Sequence, residues 1–161
     1  MTEPAVLNAS PIIFLSNAGL FDLLRLAGTP LFVPRAVVEE IERFGSNDPA
    51  FLAVKQSSLF NIVDADPPPS VIEHWDLGMG ESSVLTWALA HPGTHAVLDD
   101  LAARRCANLL GIKVHGTLGL ILLAKRRQII PEARPVLDQL RKSGMYLSDK
   151  IMNRALSMIG E

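Results

Sequence analysis

The chain has a single cysteine, Cys106, so no disulfide can form within it. Its setting in an alanine-rich helical stretch marks Cys106 as a small core residue rather than a reactive nucleophile. No stretch reads as transmembrane, and no basic segment followed by a long apolar run precedes the first strand pattern at Val6–Leu7. The expectation is a cytoplasmic protein with no membrane partner and no secretory leader. His74, His91, His95 and His115 lack the dense His/Cys spacing of a zinc site. Gly78-Met79-Gly80 permits close backbone approach but is not a phosphate-binding loop. No solenoid period and no low-complexity linker divides the 161 residues. With 48% hydrophobic residues, the length suits one domain, 1–161, with a sizeable core.

The net charge of −2 conceals an asymmetry. Residues 1–100 hold 4 Lys and Arg against 13 acids, whereas residues 101–161 hold 11 against 4, giving −9 and +7. An acidic cluster beside a basic surface suits a metal-dependent enzyme acting on a polyanion, unless the two halves interleave in space and cancel.

Apolar runs and helical patterns alternate along the chain. Strands are expected at Ala5–Leu7, Leu31–Val33, Ala96–Leu98 and Ile112–Val114, with Phe60–Val63 possible and an edge segment near Tyr146–Leu147. Asn8-Ala9-Ser10-Pro11 reads as a turn before Ile12–Phe14. Helices are expected after Pro34 as far as Phe44, over 49–56, 81–90, 101–110, 117–127, 135–142 and 149–159. This repetition predicts an α/β fold, a three-layer α/β/α sandwich around a mostly parallel sheet.

Several polar residues break this pattern where chemistry would be placed. Asp99-Asp100 follows a strand at the edge where open α/β folds put their ligands. One of the two would face a metal while the other caps the next helix, and Asp100 could pair with Arg104 at i,i+4. Glu40 interrupts the apolar stripe Val37, Ile41, Phe44. A carboxylate there needs an ion, hydrogen bonds or water. Glu39 instead joins Arg35 and Arg43 in an exposed ladder. Glu81 faces the buried side of its helix, although its first-turn position would by itself favour a carboxylate. His115 ends a strand immediately before Gly116-Thr117. Thr117 reads as an N-cap whose hydroxyl could also orient a phosphate or water.

These residues resemble the PIN-domain superfamily, and within it the DUF3368 branch of VapC-like predicted nucleic-acid-binding proteins. The resemblance is carried by Asn8-Ala9-Ser10-Pro11-Ile12-Ile13, Val33-Pro34-x-Ala36-Val37-Val38-Glu39-Glu40-Ile41, Gly80-Glu81, Asp99-Asp100-x-x-x-Arg104 and Gly116-Thr117-Leu118-Gly119. It implies a PIN-like nuclease fold with Mg²⁺ or Mn²⁺ bound by acids at the C-terminal side of the sheet. The metal set it implies is Asn8, Glu40, Glu81, Asp99 and Asp100, with Glu40, Glu81, Asp99 and Asp100 catalytic. Ser10 falls at the small hydroxyl position of the first motif. Ser10, Arg104, Arg105 and Thr117 would contact nucleic acid. RNA is the implied substrate, a homodimer or an antitoxin protein the implied partner. The departure is Asn8, where catalytic members usually carry Asp: its amide can ligate a hard cation but brings no charge. Two expectations follow, a metal-dependent endoribonuclease, as in toxin–antitoxin pairs, or a catalytically weak PIN-like binding or regulatory module.

Overall fold

Five short runs of mostly apolar residues become strands in the computed structural model, which describes residues 2–161: β1 (Ala5–Leu7), β2 (Leu31–Pro34), β3 (Phe60–Val63), β4 (His95–Val97) and β5 (Val114–His115). They form one sheet in the order β3-β2-β1-β4-β5, and every pairing is parallel. All three residues of β1, and Ala96 and Val97 of β4, have no solvent exposure. A parallel sheet reaches that state when helices cover both of its faces, which gives the α/β sandwich expected from the sequence.

The helices are α1 (Ala9–Asn17), α2 (Arg35–Glu42), α3 (Pro49–Gln56), α4 (Ser70–Glu73), α5 (Met79–Ala90), α6 (Leu101–Leu109), α7 (Thr117–Arg126), α8 (Arg134–Lys142) and α9 (Asp149–Met158), with a 3₁₀ helix at Phe21–Ala27. Helix α5 packs on β1, β2 and β4 and against α2 and α6, while α1 packs with α2, α3, α7 and the 3₁₀ helix. Register brings the strand ends level: Leu7 and His115 both lie opposite Val97. Two hydrogen bonds continue the alignment, from Asn8 N to Val97 O at 3.1 Å and from Leu98 N to His115 O at 2.9 Å. The strand order reverses between β1 and β4, so Asn8 and Asp99 leave the sheet at its switch point, where such folds bind ligands.

Several local expectations are corrected. Asn8–Pro11 is not a turn: Asn8 is the residue before α1, which runs through Ile12–Phe14. Pro11 fits because a first-turn residue has no intrahelical partner for the N–H that proline lacks. The outer strand beyond β2 is Phe60–Val63, and Tyr146–Leu147 joins no strand. Phe44 lies beyond α2 and is 61% exposed, so the apolar stripe ends at Ile41. Arg35 reaches across to Asp64 at 2.7 Å instead of completing a ladder with Glu39.

Candidate metal and nucleic-acid site

Asn8 enters the site from the end of β1. It is 2% exposed, and its Oδ1 is buried without a hydrogen-bond partner among the described residues. Glu40 comes from α2 and Gly80 from the first turn of α5, two helices that pack together. A Cβ built on Gly80 would lie 2.6 Å from Glu40 Oε2 and 2.9 Å from Asn8 Oδ1. The missing side chain therefore supplies the space onto which both oxygens look. Burial pushes the Glu40 carboxyl above its ordinary 4.5, and the neighbouring Glu81 carboxylate pushes it the same way against a weaker pull from Arg43. Glu81 folds back over the start of α5, with Oε2 2.5 Å from where a Cβ on Gly78 would sit. Gly78 is the residue before that helix and brings no capping side chain, so a first-turn acid is welcome there.

The two aspartates divide their roles. Asp100 is exposed and caps α6, its Oδ2 accepting from Ala103 N at 2.9 Å. Asp99 is half-buried and tied to the start of α7: Oδ1 accepts from Thr117 N at 2.8 Å and Oδ2 from Thr117 Oγ1 at 2.7 Å. Each Asp99 oxygen keeps a further acceptor site. Thr117 is completely buried and is the first residue of α7 rather than its N-cap, which is Gly116. Its hydroxyl is spent on Asp99, so its position is that of a residue holding an acid, not one presented to a phosphate. Arg104 does not pair with Asp100: its Nη1 donates to Leu98 O at 3.2 Å and packs over Gly116.

Ser10, Glu81, Asp99, Asp100, Arg104 and His115 line a cleft of about 890 Å³ together with apolar residues that include Phe14, Leu118, Met145 and Tyr146. Asn8 and Glu40 are not among its lining residues, and Glu81 joins the two groups, lining the cleft while acting on Glu40. Arg105 is exposed on α6 and lines no part of the cleft. Among the described residues no three His, Cys, Asp or Glu side chains are gathered in ligand geometry. The donor set is nevertheless made of hard oxygens, and the unpartnered Asn8 Oδ1 facing Glu40 fits a hard divalent cation. Close approach at Gly80 was readable only as permission. The contact of Gly116 with Asp99 and Arg104 carried no local signal beyond the glycine itself.

Neither the curated proteins nor the solved structures give a match to this chain. A family model, DUF3368, described as PIN domain, matches residues 4–161. PIN domains are usually nucleases that bind nucleic acid and use divalent metal ions. With the all-parallel sheet and the acids at its C-terminal edge, a match over almost the whole length establishes that the chain belongs to the PIN-domain family.

Proposed function

We propose that this chain is a divalent-metal-dependent endoribonuclease that hydrolyses RNA phosphodiester bonds. The observation that carries the reading is the pair formed by the unpartnered, buried Asn8 Oδ1 and the Glu40 carboxyl, whose proton affinity is raised by burial. A desolvated amide oxygen facing an ionised, desolvated carboxylate is costly, and a divalent cation between them relieves that cost. Asn8, Glu40, Glu81 and Asp99 would hold Mg²⁺ or Mn²⁺, with Asp100 beside them at the start of α6. The ion would supply positive charge to the pentacoordinate transition state and lower the pKa of an attacking water.

The chain's own groups do the rest. Thr117 fixes both Asp99 oxygens, so this carboxylate meets its partner without reorganising. Arg104, held by Leu98 O and lining the cleft beside Ser10, is placed to bind a phosphate. The apolar part of the lining, with Tyr146 89% exposed, would take unpaired bases or the apolar segment of an antitoxin protein, and a homodimer belongs to the same reading.

One observation favours a second reading. Asn8 puts an amide where an acid would bring charge, as expected of a binding or regulatory module with little nuclease activity. Titration with Mg²⁺ and Mn²⁺, paired with cleavage assays on mixed structured RNAs and single-stranded DNA, decides between them. Metal-dependent RNA cleavage that Glu40→Gln and Asp99→Asn each reduce by about 10²-fold or more supports the enzyme. Stable binding across these substrates with no cleavage supports the module.

A further inference from the structure

Three side chains outside the acid set form a hydrogen-bonded row along the sheet. Glu3, just ahead of β1, contacts His95 Nε2 through its carboxylate, and His95 Nδ1 lies 2.9 Å from His115 Nε2. His95 sits at the start of β4 and His115 at the end of β5, with ring centroids 5.0 Å apart. The row therefore runs from the edge where the strands begin to the edge where they end. At one terminus Glu3 is half exposed, with Lys113 Nζ at 3.8 Å. At the other, His115 lines the cleft that holds Glu81 and Asp99.

Proton bookkeeping along the row fixes what His115 offers. A carboxylate only accepts, so His95 Nε2 must carry a hydrogen. When His95 is neutral its Nδ1 is then bare and must accept from His115 Nε2–H. That leaves the lone pair of His115 on Nδ1, the nitrogen not engaged with His95. We propose that Glu3, His95 and His115 form a proton relay in which His115 Nδ1 takes a proton from a water in the cleft and His95 holds the resulting charge beside Glu3. The transfer balances. The water O–H bond breaks as the Nδ1–H bond of His115 forms. The Nε2–H of His115 breaks as the Nδ1–H of His95 forms, and the positive charge ends against the Glu3 carboxylate.

The surroundings favour this placement of charge. Burial, then His95, Arg104 and Lys113, all lower the proton affinity of the His115 ring, so a cation is disfavoured on it. The ring faces the cleft as a neutral base, and the compensating carboxylate lies on the far side of His95. The same logic orients and charges the histidine of a carboxylate–histidine pair, extended here by one imidazole.

The relay's use in hydrolysis rests on the nuclease reading, but its existence does not. Two-bond ¹⁵N–¹H spectra of the histidine rings in Mg²⁺ buffer test it directly. At pH 7.5 both His95 and His115 should carry their proton on Nε2, with His115 Nδ1 bare. On acidification the two rings should change in one joint transition. Glu3→Gln, at a half-exposed position, keeps an acceptor but removes the charge, and should move that transition to lower pH by half a unit or more. A proton on His115 Nδ1 at pH 7.5, or rings that titrate independently of Glu3, overturns the relay. In cleavage assays, His115→Asn should lower kcat roughly 10²-fold with KM retained. Glu3→Gln should move the acid limb of the kcat profile downward. If His115→Asn is folded by its melting curve and cleaves like the parent at every pH, the relay has no part in the reaction. Intact tautomers in a protein that cleaves nothing uphold the relay and overturn the nuclease reading.

Discussion

Asn8 and Glu40 occupy one small space and impose opposite demands on it. Asn8→Asp adds a carboxylate beside two existing acids, so Mg²⁺ affinity measured by calorimetry should rise, with cleavage rising if the geometry is kept. A folded Asn8→Asp protein with unchanged affinity would remove Asn8 from the metal's ligands. Glu40 makes a prediction about stability. Its folded-state proton affinity lies above the ordinary 4.5, so the folded protein holds this proton more tightly than the unfolded chain. The carboxyl favours folding below about pH 4.5 and progressively opposes it as pH rises through that value to the raised one. Glu40→Gln should raise the metal-free Tm at pH 7 and flatten this decline, while Mg²⁺ should stabilise the parent more than the variant. Glu40 was legible in the sequence because it interrupts an apolar stripe. Asn8 was legible only through the family's motif, and the space at Gly80 was not, because what a missing Cβ would meet depends on another helix.

At the level of elements, the ends of β4, α6 and α7 are joined by two aspartates with separable duties. Asp100→Ala should cost about 1 kcal/mol of stability through the lost cap, and Asp100→Asn much less, both measured by urea denaturation. If capping is the whole role of Asp100, Asp100→Asn keeps cleavage while Asp99→Asn abolishes it; equal losses would place both in the reaction. Thr117→Val removes one of the two bonds that fix Asp99. It should lower cleavage while leaving the fold intact in circular dichroism. The strand–helix alternation was readable because buried parallel strands are short apolar runs between helical periods. The start of α1 was not, since Asn-Ala-Ser-Pro has the composition of a turn and of a helix entry alike. Tyr146 looked like an edge strand because its neighbours Met145 and Leu147 are apolar; they are buried beside the cleft without any strand to pair with.

Across the whole molecule, the two oppositely charged segments divide the strands but share the helical layers, with α7 packed on α1 and the 3₁₀ helix and α6 on α5. Residues 101–161 contribute to the sheet only β5, an edge strand, so the basic segment does not interleave strand by strand with the acidic one. RNA binding should therefore weaken steeply with salt. Charge reversal of Arg126 and Arg127, exposed at the end of α7, should slow association at low ionic strength and lose its effect at high, measured by stopped-flow fluorescence. The asymmetry itself was plain from counting residues; how the two segments are laid out in the fold required the strand order and the helix packing, which no local pattern reports. One consequence concerns approach rather than contact. A cleft that carries Arg104 beside Glu81, Asp99 and Asp100 offers a polyanion attraction and repulsion within one opening. A phosphate backbone would thus settle against Arg104 first, and a bound cation would let it lie against the carboxylates that otherwise repel it.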